Sequence, residues 1–191
     1  LDERLPFARR DLQPWSPVTE GLLAEGSLPV SALCAATLAT SDNTAANLVL
    51  ARIGGPAALT AHLRSLGDAV TRLDRYEPEM NAPHPEWDSS SPQAMAHSVH
   101  ALLLGDALPP PQRQLLTTWL QASVTGGRRL RAGLGAGWSI ASKTGTSDSG
   151  STNDVGVLWP PGGAPLVVVA FIRGSRTPHA RREAALADVG R

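Results

Sequence analysis

The chain has 191 residues, 42% of them hydrophobic, and its 17 basic and 17 acidic side chains cancel to a formal net charge of zero. That length and composition suit one globular domain, two at most, and the balanced charge gives no field to steer nucleic acid or to hold an anionic membrane surface. No stretch approaches the roughly 20 apolar residues of a membrane span, and no basic and apolar leader opens the chain, although Leu1 does not look like a natural start.

Residues 1–17 mix charges, three prolines and Trp15 without a period, which predicts extended or irregular surface chain. Residues 31–40 are too apolar for a surface helix and predict a helix buried on most sides. Within it Cys34, the sole cysteine, reads as a small buried hydrophobe with no disulfide partner in the chain. Ser41-Asp42-Asn43 interrupts the pattern, which resumes over 44–53 and stops at Gly54-Gly55. Another helix is expected from Pro56 to Leu66, closed by Gly67. Capping of backbone N–H groups is the plain explanation for three short polar side chains at a helix junction.

Prolines 78, 83, 85 and 92 exclude long regular structure over 74–92 and leave a loop of functional length or a linker. Helical patterns return at 92–104 and about 111–122. From Trp138 the period changes: 138–142, 155–159 and 166–173 read as strands of an antiparallel meander, and 179–189 as a closing helix. There are no internal repeats, so the layout is a helical block, then strands, then a final helix, one α+β unit. The five histidines, at 62, 84, 97, 100 and 179, have no metal-ligand spacing, and no metal is predicted; His97 and His100 share a helix face as surface or core residues.

Ala141 to Thr146 stands apart because it holds Lys143, the only lysine beside 16 arginines. A lysine is a compact charge that can be desolvated and can exchange a proton, which an arginine cannot do. Thr144, Gly145 and Thr146 follow, two hydroxyls around a residue without a side chain, so a ligand could approach the backbone closely and be gripped from both sides.

Ser41-Asp42-Asn43, Glu77-Pro78-Glu79-Met80-Asn81 and Lys143-Thr144-Gly145-Thr146, in this order and at nearly matching intervals, make the chain resemble the class A serine β-lactamases. The flanks agree at 16–20, 41–50 and 152–161, so the resemblance covers nearly the whole chain. It implies a serine β-lactamase-like α+β fold, with a helical lobe over about 1–126 and a lobe of sheet and C-terminal helix over about 127–191. It also implies a small-molecule β-lactam as the partner, no cofactor, a monomer when complete, and export to the periplasm or outside the cell.

Opening a cyclic amide requires a nucleophile, a base, a proton donor for the leaving nitrogen and a positive setting for an oxyanion. By the resemblance, Glu77 is the base for the deacylating water and Asn81 helps to hold that water. Ser41 relays a proton to the leaving nitrogen, and Lys143 makes the potential around it more positive. Asn43 binds the substrate's acylamino carbonyl. Thr144 and Thr146 bind its carboxylate, with Gly145 between them and the Thr146 N–H serving the oxyanion hole. Asp42 is a structural cap. A carboxylate calls for a guanidinium; Arg129 fits one of the family's positions, with Arg128 and Arg131 as alternatives. Trp15 is either an aromatic wall or a locally packed tryptophan. Arg75 and Asp88 resemble the ion pair that closes the neck of the loop.

One absence matters. With a single lysine, the family's Ser-x-x-Lys nucleophile motif cannot occur in these residues; family spacing would place it roughly 20 residues before Leu1. The expectation is therefore an incomplete domain, with an unpaired sheet edge and little stability alone. The rival readings are a degenerate or split relative, a non-catalytic binding module, and a penicillin-binding D-Ala-D-Ala peptidase, which lacks the Glu77 and Asn81 loop. Between Pro85 and Asp88 the loop is about two residues shorter than usual, with Trp87 where an arginine is common, which bears on deacylation.

Overall fold

A computed structural model describes residues 1–191. The opening is not wholly irregular: β1 (Arg4–Pro6) pairs antiparallel with β2 (Ser27–Pro29). Three-residue strands with a proline in each carry no readable alternation. The ribbon buries Leu5, Phe7 and Leu28 against Leu33, Ala36 and Ala45 of α1 (Val30–Thr40) and α2 (Asn43–Arg52).

The predicted helices form close to the expected bounds, with α3 at Gly55–Ser65, α4 at Pro92–Leu103 and α5 at Pro110–Gln121. Prolines in the first turns of α3, α4 and α5 occupy positions whose N–H groups have no helical acceptor. Two expectations fail on α1. It is not buried on most sides, since only Leu33 and Ala36 are, and Cys34 is half-buried. An all-apolar helix needs cover all round, and β1, β2, α2 and α5 cover only part of its surface.

A helical turn that sequence reading missed, α6 (Leu130–Gly133), precedes the meander β3 (Ser139–Thr146), β4 (Thr152–Trp159) and β5 (Leu166–Ile172), and α7 (His179–Val189) closes the chain. Strand order is β3-β4-β5, all antiparallel, with Lys143 opposite Val155 and Thr144 opposite Asp154. Trp138 lies outside β3, and the strand instead runs on through Lys143 to Thr146. Successive residues face opposite sides of a sheet. Ala141 and Val157 meet Leu103 and Leu120 of α4 and α5, whereas Ile140 and Leu158 meet Leu130 of α6 on the other side. Close packing of α6 on α7 needs Gly133, where a Cβ would lie 2.0 Å from the Ala187 carbonyl oxygen. β5 has a strand on one edge only, and its apolar run is at most half-buried. The result is an α+β fold, and no helix is long and apolar enough to cross a membrane.

Candidate active site

The junction between α1 and α2 is built by two residues with different tasks. Ser41 ends α1 in the left-handed region (φ 59°, ψ 41°), a conformation that costs a non-glycine residue about 1 kcal/mol and that surrounding structure must hold. Fully buried Asp42 does the holding: it accepts from Val18 N and Thr19 N at 2.9 Å, from the Thr19 hydroxyl, and from Ala45 N at 2.9 Å as the cap of α2. Ser41 is thereby turned toward β3, where Lys143 Nζ donates to its hydroxyl oxygen and also to the Thr144 carbonyl at 2.7 Å. Burial, reinforced by the charge of Arg129, lowers the Lys143 pKa to about 8, while the Asp154 and Glu77 carboxylates oppose the change.

The proline-rich loop is pinned at its neck. Arg75 Nε meets Asp88 Oδ2 at 2.6 Å, and Asp88 Oδ1 accepts from Asp74 N and Arg75 N at 2.7 and 3.1 Å. A second Arg75 nitrogen reaches the Ala82 carbonyl at 2.8 Å, and Trp87 lies over its guanidinium, stacked in turn on His84 at 4.1 Å. Glu77 accepts from Asn81 Nδ2, and its backbone is held by Asn47 of α2. Burial raises the Glu77 pKa above the ordinary carboxyl value, partly offset by the Asn81 donor and the Lys143 charge. A carboxylate of raised pKa with an amide beside it is suited to taking a proton from water.

At the far end of β3, Thr144 Oγ shares a 2.6 Å hydrogen bond with Thr125. Arg129, 3% exposed, spends its whole fork inside the protein. One terminal nitrogen donates to the Gly145 and Asn153 carbonyls at 3.0 and 2.7 Å, the other to Thr146 Oγ at 2.7 Å and His179 Nε2 at 3.4 Å, and Nε to Glu183 at 3.4 Å. Those are all five donors. Arg129, expected to grip a carboxylate, has every donor engaged within the protein; Thr146 Oγ accepts from it, so the Thr146 hydroxyl hydrogen is free to point outward. Arg131 is turned toward the Gln121 and Ile140 carbonyls.

Two rim residues complete the arrangement. Trp15 is 67% exposed and anchored by Nε1 on the Thr40 carbonyl at 3.0 Å, one residue before Ser41. Asn43 gives one amide hydrogen to the Pro14 carbonyl at 2.8 Å and keeps another.

A family model described as the beta-lactamase enzyme family matches residues 1–191. The chain belongs to the class A β-lactamase family. It is 47% identical over 189 residues to beta-lactamase OXY-2 of Klebsiella oxytoca, covering 98% of this chain and 65% of that one. To the carbapenem-hydrolyzing beta-lactamase KPC of the same organism it is 43% identical over 194 residues, covering 100% of this chain and 66% of the relative. A solved ancestral class A β-lactamase superposes with a TM-score of 0.96 at 52% identity, over 100% of this chain and 74% of that one. The chain thus spans just under two thirds of the length of these two curated relatives.

Sequence reading missed several residues of this β-lactamase-like site. Asn47 sits four residues after Asn43, on the same helix face, and within the matching flank 41–50, but neither signal tied it to Glu77. Thr125, His179 and Glu183 come from elements far apart in sequence and nothing local marks them, while Asp154 lies in the matching flank 152–161 without a role that the sequence shows.

Proposed function

We propose that these residues form the substrate-binding and water-activating part of an exported, periplasmic or secreted β-lactam hydrolase that acts as a monomer. Catalysis runs through a serine acyl-enzyme whose nucleophile comes from outside residues 1–191. In this reading residues 1–126 and 127–191 are two lobes, and the site lies where they meet. The observation that carries the proposal is the bond from Lys143 Nζ to Ser41 Oγ, 102 residues apart in sequence. By occupying the Ser41 oxygen as an acceptor, Lys143 leaves the Ser41 O–H free to donate.

In acylation, the nucleophile's oxygen bonds to the lactam carbonyl carbon and the C–N bond breaks, while the hydroxyl proton that the nucleophile loses is relayed through Ser41, which gives its own proton to the nitrogen and takes up the released one. The Thr146 N–H and the Lys143 charge favour the oxyanion. Thr144 and Thr146 hold the substrate carboxylate, Asn43 its acylamino carbonyl, and Trp15 walls the rim. In deacylation, Glu77 takes a proton from a water shared with Asn81, the resulting hydroxide adds to the ester carbon, and the serine oxygen leaves with that proton. Arg75 and Asp88 keep the loop closed around Glu77, and Asp42 keeps Ser41 in place.

The test is the intact mass of the complete gene product during exposure to a penicillin. Turnover with a transient adduct is expected for the native sequence, and a persistent adduct for Glu77→Ala. Turnover unchanged by Glu77→Ala would overturn the mechanism. A protein that neither forms an adduct nor turns over would be a binding or degenerate relative.

A further inference from the structure

The outer limb of the proline-rich loop is closed by one imidazole. Prolines 83 and 85 flank His84 and bring no N–H of their own. The next two N–H groups, of Glu86 and Trp87, find no backbone acceptor, and both donate to His84 Nδ1, at 3.2 and 3.0 Å. A backbone N–H can only donate, so Nδ1 carries a lone pair and the ring is neutral, with its hydrogen on Nε2. The turn is tied down on both sides. The Glu86 carbonyl accepts from the Ser89 hydroxyl at 2.8 Å, and Ser89 pairs through its backbone with Arg72 at 2.9 and 3.1 Å. The Trp87 ring stacks on His84 at 4.1 Å and lies 5.6 Å from the Arg75 guanidinium, which holds the Ala82 carbonyl at 2.8 Å. Ala82 follows Asn81, whose amide donates to Glu77. One row of contacts thus runs from His84 Nδ1 to the pair assigned to the water.

We propose that His84 is a positioning residue for deacylation and a proton-operated latch: neutral, it holds the outer limb of the loop in place beside Asn81 and Glu77, and protonated, it releases that limb. Histidine is the side chain whose charge changes between pH 5 and 8. A proton on Nδ1 would face two N–H groups that have no other partner, so both bonds are lost together. Water reaches the ring, since His84 is half-buried and Trp87 is 42% exposed. Charges of both signs surround it: Arg75 against Trp87, Glu79 and Glu86 on the loop, and Asp88 with the Arg72 and Asp74 pair at the neck. Arg75 is committed to Asp88 at 2.6 Å, so the neck stays shut when the outer limb opens. On the inner limb α2 keeps the Glu77 backbone through Asn47. Release therefore falls on the stretch from Asn81 to Trp87, and it loosens the amide that shares the water with Glu77.

This inference rests on the hydrolase reading for its purpose but not for its first test. In the complete gene product, hydrogen exchange of the Glu86 and Trp87 amides, corrected for the intrinsic rate at each pH, reports the two bonds. Their protection should fall by about fivefold or more between about pH 8 and about pH 5. His84→Gln moves the polar end of the side chain to the Nε2 position and should lose the protection at both pH values. Protection that is independent of pH in the native protein, or that survives His84→Gln, overturns the latch. His84→Asn sets an amide oxygen where Nδ1 stood and cannot take up a proton. If penicillin is turned over, the trapped acyl-enzyme should grow on acidification in the native protein and grow less in His84→Asn. Titration of Glu77 is common to both proteins, so the difference between them belongs to His84. Equal or greater build-up in His84→Asn overturns the positioning role. The expected exchange pattern in a protein without turnover would uphold the latch and sink the hydrolase reading.

Discussion

Asn47 holds Glu77 by its backbone: its Oδ1 accepts from the Glu77 N–H at 2.9 Å, and its Nδ2 donates to the Glu77 carbonyl at 2.8 Å. A rigid helix thereby fixes the loop residue to which we assign the activation of water. Asn47→Leu removes both bonds and should cost about 1–3 kcal/mol of stability. It should also slow deacylation by about tenfold or more through misplacement of Glu77, so that acyl-enzyme accumulates during turnover. Rapid-quench mass spectrometry reads this directly. A variant that is less stable but shows no added acyl-enzyme would mean that Asn47 serves folding alone.

Arg129→Lys keeps the charge and loses the fork. A lysine has three donors at one point, against five distributed over a plane, and cannot reach the Gly145, Asn153, Thr146, His179 and Glu183 partners together. The expected result is a loss of about 2–4 kcal/mol in urea unfolding and a rise in KM larger than the fall in kcat, because the Thr146 hydroxyl is no longer aimed. An unaltered KM would place the substrate carboxylate elsewhere.

Gly145→Ala separates packing from binding. A Cβ at 145 would meet only the Asn153 side chain, at 3.6–3.7 Å, an ordinary contact. Stability should therefore change by no more than about 0.5 kcal/mol. The added methyl faces the space assigned to substrate, and KM for a penicillin should rise severalfold. Unchanged kinetics would show that ligand does not approach this backbone.

Asp154 also makes stability depend on pH. Folding raises its pKa from 3.8 to about 6, so between those values the folded state holds more protons than the unfolded state. Its contribution is most favourable below 3.8 and is lost as pH rises through 6. Asp154→Asn should accordingly be neutral near pH 4 and stabilising by about 2–3 kcal/mol above pH 7. Urea titrations at the two pH values test the sign, and destabilisation at high pH would mean that the carboxylate is a net structural asset.

Periodicity was enough to read the helices and the meander, because long apolar patterns leave few alternatives. It could not show β1 and β2, whose three residues are too few to alternate, or α6, a single turn after Gly126-Gly127. The polar clusters were legible as a site only together. Ser41, Glu77 and Lys143 each have a bland explanation alone, and three in family order do not. Arg129 shows where sequence runs short: its position was readable, but the commitment of all five donors depends on partners from β3, β4 and α7. The expected burial of α1 and Cys34 failed because apolar composition tells how much cover a helix needs, not how much the present residues supply.

The wiring of Arg129 has an evolutionary side. Five bonds join it to β3, β4 and α7, three of them to side chains, so substitutions at Thr146, His179 and Glu183 should be epistatic with one another, tolerated or harmful according to whether Arg129 is present. Recombination between relatives that use different arginines would then succeed only when the turn before α6 and the closing helix are inherited as one block.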